Sequence, residues 1–295
     1  MNSDETYRLV QERYGGLAAA DRNASGSPSI GSKENYEEQV ATAFGYNLED
    51  LRSIPEGANL GVSCGNPLAT AGLREGETVV DLGSGGGIDV LLAGSKVGPT
   101  GKAIGIDMTK DMLDLARRNA EKSKASNVSF IEASITSVPL PEASVDCIIS
   151  NCVVNLVPEP EKPTVFHEMF RLLKPGGRVA VSDILARKEL PEEVTKDLSL
   201  YVGCIAGASQ VGAYDKYLKD AGFEGILIVD TNSDLNLYKS ALEDPNALGA
   251  PTGSCCGAKM PEPCGTSQPS KLSNLDFNEW TGSYKIYAVK PSSSN

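Results

Sequence analysis

Two groups of residues in this chain have types and spacings that could do chemistry. The first is a set of seven cysteines, Cys64, Cys147, Cys152, Cys204, Cys255, Cys256 and Cys264, beside a single histidine, His167. No C-x-x-C pair occurs and one imidazole is too few, so the usual zinc patterns are missing. In a reducing compartment structural disulfides are not expected. The thiols are then inert, redox-active, or ligands for something soft. The second group is the turn DLGSGGG (81–87) with Asp107 farther on. Gly83, Gly85 and Gly87 let the backbone come close to a bound cofactor. Asp107 lies 24 residues beyond Gly83, near the spacing of about 20 at which a carboxylate can hold ribose hydroxyls.

Regular elements must hold these groups in place. ETVVDLG (77–83), GKAIGID (101–107), NVSFIEA (127–133), SVDCIISN (144–151) and GRVAVSDI (177–184) read as strands, the last one after a KPGG turn. Short apolar runs ended by glycine or a polar residue mark strands covered on both faces. Helical spacing separates them, as in MTKDMLDLARRNAEKS, where Thr109 is the expected N-cap and Met112, Leu113 and Ala116 share a face. This alternation predicts an α/β, doubly wound sheet. The glycine turn therefore follows a strand and opens a helix, the context that gives it meaning.

Residues 1 to about 40 read as a short amphipathic helix and a Ser/Gly loop, and 34–53 as helical. After about residue 185 the rhythm changes. Helices are expected near 191–201 and 210–222, with Cys204 in a helix-like stretch between them. A strand GILIVD (225–230), a Pro/Ser/Gly/Cys-rich loop (244–273) and an exposed-looking strand WTGSYKIYAVKP (280–291) follow. The reading divides the chain into a cap carrying the Cys64 loop (1–70), a cofactor-binding domain (71–185) and a smaller C-terminal α+β lid domain (186–295).

The glycine pattern is G-x-G-x-G preceded by Asp81, and Ile88 stands where a third dinucleotide-type glycine would fall. DLGSG resembles the first motif of class I methyltransferases that use S-adenosylmethionine. IGIDMT, with Asp107 and Met108, resembles their second, and KPGG is common among them. The resemblance implies a Rossmann-like class I methyltransferase sheet and a cofactor site built from Asp81, Gly83, Ser84, Gly85, Asp107 and Met108. It also places Glu132 to Ile135, with Ser134 and Ile135, near the adenine, and Asn151 near the methionine end. Tyr14-Gly15-Gly16 resembles a short element that covers the cofactor, which would set Tyr14 over the sulfonium.

Cys152 follows the fourth strand, whose C-terminal end faces the cofactor crevice. ISNCVVNL, LGVSCGNP, GIDMT, LLKPGGRVAVSD and YVGCIAGA together resemble the arsenite S-adenosylmethionine methyltransferase family, over about residues 35–230. That resemblance implies that Cys64, Cys152 and Cys204 bind trivalent arsenic, that the products carry one or more methyl groups, and that glutathione or thioredoxin is the reductant. In the family a further cysteine often precedes the first ligand and pairs with it; here none precedes Cys64. The chemistry agrees: As(III) is soft and prefers thiolates, three of which leave it a lone pair to attack a sulfonium methyl. That nucleophile loses no proton, so no general base is needed.

Each cysteine also has a plain reading as a small buried hydrophobe. It is the preferred one for Cys147, inside the fourth strand, while His167 is expected at the surface or in packing. Cys255, Cys256 and Cys264 either deliver arsenic, exchange disulfides, or sit in a variable loop. The rival functions are a methyltransferase for an organic acceptor and a metalloid-sequestering protein. A net charge of −12 without a basic run speaks against nucleic acid. No apolar stretch reaches 18 residues and MNSDETYRLVQERYGG has no apolar leader, so a cytoplasmic protein without a membrane span is expected.

Overall fold

The computed structural model describes residues 2–24, 33–195, 204–239 and 275–292. Among them, seven strands form one sheet: β1 (Thr78–Leu82), β2 (Lys102–Asp107), β3 (Val128–Glu132), β4 (Val145–Asn151), β5 (Leu173–Ala186), β6 (Glu224–Asp230) and β7 (Thr281–Val289). Their spatial order is β3-β2-β1-β4-β5-β7-β6. The first five pair in parallel, and β7 runs antiparallel between β5 and β6. The order reverses between β1 and β4, so a crevice opens at the C-terminal ends of those two strands.

The central strands are apolar because both faces are covered. Helix α6 (Lys110–Ser123) packs against β2 and β3. Leu82, Ile106 and Ile148 are fully buried in a cluster with Val165, Phe166 and Met169 of α7 (Lys162–Leu172), and Ile149 in another with Val90, Leu92 and Ala93 of α5 (Ile88–Val97). Each such side chain contributes roughly 1.5–3 kcal/mol on leaving water. On α6, Met112, Leu113, Leu115 and Ala116 face inward. Thr109 stands at its N-cap position without a side-chain cap bond. The Asp107 carboxylate accepts the Thr109 N–H instead, at 2.8 Å.

Several expectations are corrected. GILIVD and the final strand do not form a unit of their own: β6 and β7 complete the main sheet. The alternation in TGSYKIYAV reads as an exposed strand, yet β7 is mostly buried because β5 and β6 flank it. KPGG is no turn before β5 but part of it, where the register with β4 shifts between Val145 and Cys147. The N-terminal helix α1 (Ser3–Ala24) is long, and 34–53 splits into α2 (Lys33–Ala43) and α3 (Leu48–Ser53), the second capped by the Asn47 side chain. Of the helix expected at 191–201, α8 covers Glu192–Thr195; the next described helix is α9 (Val211–Ala221). Cys204 is not helical. It sits in a turn with φ of 64°. Cys255, Cys256, Cys264 and the whole 244–273 loop lie outside the described residues.

Candidate active site

At the C-terminal ends of β1, β2 and β4 the crevice is an open cleft. Asp81, Gly83, Ser84, Gly85, Asp107, Met108, Ser134, Ile135 and Asn151, all expected at the cofactor site, are found on its wall, whereas Glu132, expected near the adenine, is not among the lining residues. Gly83 has φ of 79°, and a Cβ there would lie 2.3 Å from Val153 Cγ2. Only glycine permits this approach of the β1 end to the chain after β4. The first helix closes the cleft with Tyr7, Val10 and Tyr14.

The electrostatics of the cleft are one-sided. Asp81, Asp89 and Asp107 line it, and no Lys or Arg does among the described residues. Burial pushes the Asp81 carboxyl well up, and the charges of Asp89 and Asp107 add to the effect. Burial raises Asp89 to about 6, against the pull of hydrogen bonds from Tyr46 and Asn151. Burial also raises Asp107, opposed by the Thr109 and Gly85 N–H groups. Asp81 Oδ1 and Ser84 Oγ are buried without a hydrogen-bond partner. Buried polar atoms without partners are costly. A cationic ligand bearing an ammonium group and hydroxyls would satisfy them, so the walls fit S-adenosylmethionine. A pyrophosphate would meet three carboxylates and no cation.

Next to the cleft the three separated cysteines converge. Cys64 and Cys152 are joined as a disulfide, with Cα atoms 5.7 Å apart. Disulfides were not expected from the sequence, and the pair consists of two of the three predicted ligands. The Cys204 thiol donates to the Cys152 carbonyl oxygen at 2.7 Å. All three are buried in one apolar cluster with Val10, Phe44 and Ile184, against which Tyr14 and Met108 pack. Burial pushes the Cys204 thiol well up, Asp183 adds to this and Lys162 opposes it. Cys152 has φ of 61° and Cys204 of 64°, conformations rare outside glycine and a recurrent mark of functional sites.

The loop before Cys64 reaches this place because later elements pin it. Ser283 Oγ of β7 donates to the Cys64 carbonyl at 2.5 Å, and Tyr238 OH to the Ser63 carbonyl at 2.7 Å. Cys147 and His167 match their plain readings. Cys147 is fully buried in β4 and its thiol is pushed up to about 12, chiefly by burial. His167 is exposed, its Nδ1 2.8 Å from the Pro163 carbonyl oxygen.

The structure adds residues that sequence reasoning missed. Asp183, fully buried at the C-terminal half of β5, has a carboxylate oxygen within 4.8 Å of the Cys64 and Cys152 sulfurs. Burial raises it to about 7, against hydrogen bonds from Tyr214 and others. Asn155 donates to Asp183 Oδ1 at 2.9 Å and to the Cys204 carbonyl at 3.3 Å. Tyr46 donates to Asp89 at 2.8 Å. Asp183 carried a signal, since VSDI ends a parallel strand and such ends face the crevice. Tyr46 and Asn155 carried none.

The methyltransferase-domain family matches residues 73–222. An arsenite methyltransferase of Halobacterium salinarum is 42% identical over 232 residues, covering 76% of this chain and 59% of that protein. The chain spans between about half and three-fifths of the length of three curated relatives it matches. A solved arsenic(III) S-adenosylmethionine methyltransferase from Chlamydomonas reinhardtii superposes with a TM-score of 0.50 at 24% identity, over 86% of this chain and 73% of the other. Geranyl diphosphate C-methyltransferase from Streptomyces coelicolor gives 0.59 at 19% identity, over 92% and 87%. These two likenesses are of fold.

Proposed function

The chain belongs to the methyltransferase-domain family, and from that premise we propose that it methylates trivalent arsenic held by Cys64, Cys152 and Cys204. The observation that carries this reading is the convergence of three distant cysteines in one buried cluster against a carboxylate-lined cleft. The similarity to a named arsenite methyltransferase over three quarters of this chain supports it.

S-adenosylmethionine would lie along Asp81, Ser84, Asp107, Ser134, Ile135 and Asn151, and it supplies an electrophilic methyl group. Asp107 would accept the ribose hydroxyls on lone pairs left free by Gly85 and Thr109. Asp81 and Asp89 would face the cationic end. Tyr14, half-buried in the wall with Met108, would exclude water from the side of the first helix.

The thiols act in two steps. A thiol reductant first opens the Cys64–Cys152 disulfide: two electrons and two protons enter, and the reductant leaves as its own disulfide. Glutathione or thioredoxin fits this step, and the cytoplasm is a compartment that holds such a pool. The three thiols then displace three hydroxyls from arsenite; each thiol proton leaves with a hydroxyl as water. Arsenic held this way keeps its lone pair, and the protein's task is to aim it at the methyl carbon. No side chain has to remove a proton, which agrees with a cleft free of histidine. Attack breaks the methyl–sulfonium bond, S-adenosylhomocysteine leaves and arsenic becomes formally As(V). Two electrons from the same thiol reductant, which leaves as its disulfide, return it to As(III). Products carry one or more methyl groups, a detoxifying outcome.

The test incubates reduced protein with arsenite, S-adenosylmethionine and glutathione, then separates arsenic species with element-specific detection. Methylated arsenic is expected, and its loss in each of Cys64→Ser, Cys152→Ser and Cys204→Ser. Undiminished turnover by Cys64→Ser would end the three-thiolate reading. Methyl transfer to an organic acceptor alone would replace arsenic as the substrate.

A further inference from the structure

The thiol pair has a neighbour that arsenic does not require. Sulfurs of Cys64 and Cys152 and a carboxylate oxygen of Asp183 lie within 4.8 Å of one another, and all three residues are buried. They come from the loop before α4 (Leu68–Ala71), the segment after β4, and β5. Neutral donors hold Asp183 in place: Asn155 Nδ2 and the Ile184 N–H on Oδ1, at 2.9 and 3.0 Å, and Tyr214 OH on Oδ2 at 3.1 Å. Such donors orient a carboxylate without neutralising it, as they do behind carboxylates that ligate metals. Lys162 is buried as well, but its ammonium is bonded to Glu159, the Gly207 carbonyl and Ser209, at 2.6, 2.6 and 2.8 Å.

We propose that, once the disulfide is reduced, Cys64, Cys152 and Asp183 bind a thiophilic divalent cation, Zn²⁺ or Cd²⁺. Two thiolates and one carboxylate are an ordinary donor set for such an ion. With bonds of about 2.3 Å to sulfur and about 2.1 Å to oxygen, tetrahedral donors stand roughly 3.5–3.8 Å apart, a spacing this trio reaches with small movements. Cys204, held at the Cys152 carbonyl, or a water completes the tetrahedron. Binding forms two metal–sulfur bonds and one metal–oxygen bond and releases two thiol protons to solvent; no electron is transferred.

Arsenic(III) and the divalent cation then use the same thiols but differ over Asp183. In a three-thiolate arsenic complex the lone pair occupies the fourth tetrahedral direction, and no carboxylate is needed. A divalent cation needs the fourth and third positions filled by donors. The cation site therefore blocks arsenite uptake and keeps Cys64 and Cys152 from pairing again.

The site rests on donor geometry alone and needs neither arsenite nor S-adenosylmethionine, so its failure and the failure of arsenite methylation are separate outcomes. Reduced full-length protein, freed of reductant without air, is titrated with Zn²⁺ against a chromophoric chelator. The same titration is run on the disulfide form, Cys64→Ser, Asp183→Asn and a Cys255→Ser, Cys256→Ser, Cys264→Ser control. One zinc per chain is expected in the reduced protein and in that control, with none in the disulfide form or Cys64→Ser. Asp183→Asn should lose at least tenfold in zinc affinity while keeping the circular dichroism spectrum of the wild type. Equal zinc affinity in Asp183→Asn, or binding that survives in Cys64→Ser, overturns the proposal. If Asp183→Asn does not fold, Co²⁺ added to the wild type decides: thiolate-to-cobalt charge-transfer bands that vanish on oxidation support the site, and their absence refutes it.

Discussion

One amide joins the thiol cluster to the carboxylate cleft. Asn151 Oδ1 accepts the Cys64 N–H at 3.2 Å and lies 3.6 Å from its sulfur. Its Nδ2 donates to Tyr46 OH and the Gly65 carbonyl, both at 2.8 Å, and lies 3.4 Å from Asp89 Oδ2. Asn151→Ala removes both ends at once. We expect kcat/KM for arsenite to fall by about 10²-fold, the cost of a small misplacement of a reacting group, and KM for S-adenosylmethionine to rise with it. Steady-state kinetics with each substrate varied in turn checks this. A rise confined to the cofactor's KM would show that Asn151 does not link the two sites.

Beside Cys64, the backbone of Gly65 lies flat on Ser182. A Cβ at Gly65 would stand 2.5 Å from Ser182 Cβ and 2.7 Å from its Oγ, and the obstructing atoms belong to a central strand that cannot yield. Gly65→Ala must therefore push the Cys64 loop away from β5. Overpacking of this kind costs typically about 1–3 kcal/mol. The chain should still fold and bind S-adenosylmethionine with near-normal heat in calorimetry, while arsenite turnover drops at least tenfold. Wild-type arsenite turnover by Gly65→Ala would mean that the loop does not need its present seat.

The parallel half of the sheet was legible because strands such as TVVDL and DCIISN hold short apolar runs with polar residues at or near their ends, and the glycine turn falls between β1 and α5. The C-terminal strands were placed in a separate unit because pairing partners are not a local property. Nothing in SYKIYAV says that β5 lies on one side and β6 on the other. The cysteines were legible as a set of three, but not the contact between Cys64 and Cys152, which depends on how Ser283 and Tyr238 pin a loop far away in sequence. Cys204 read as helical because LSLYVGCIAGAS is rich in small and apolar residues; its positive φ is set by the buried contacts of its thiol and carbonyl.

Cys147 offers the contrast that tests the cysteine assignments. It is fully buried in β4, its thiol is pushed up to about 12, and it lies in the core cluster with Val79 and Ala180 rather than with the other three. Cys204 shares the raised thiol, so what sets Cys147 apart is its place in that separate cluster. Cys147→Ala should lower stability by about 1–2 kcal/mol through the small cavity it leaves and leave methylation intact. Cys204→Ala should abolish methylation of arsenite at little change in cofactor affinity. Denaturant titration and arsenic speciation of both variants read this out; arsenite turnover lost in Cys147→Ala at a temperature where it is folded would break the division.

The pH dependence of cofactor binding follows from Asp89. Burial holds its carboxyl at about 6, above the ordinary 3.8, although Tyr46 and Asn151 favour the ionised form. A cationic cofactor attracts the ionised form, so affinity should be level above pH 6 and fall by up to tenfold per unit below it. Stability runs the other way. Between about pH 4 and 6 the folded chain keeps a proton that the unfolded chain has lost, so the stability due to neutral Asp89 is full below pH 4 and is lost as pH rises through 6. A shift of about two units corresponds to about 3 kcal/mol. Asp89→Asn should therefore bind S-adenosylmethionine more weakly with a flattened profile, and gain stability relative to the wild type, without cofactor, as pH rises from 4 to 7. Calorimetric titrations and denaturant curves at pH 5 and 8 test both signs. A variant that loses stability relative to the wild type over that range would show that the Asp89 charge is satisfied in the folded protein and is not held there for the cofactor.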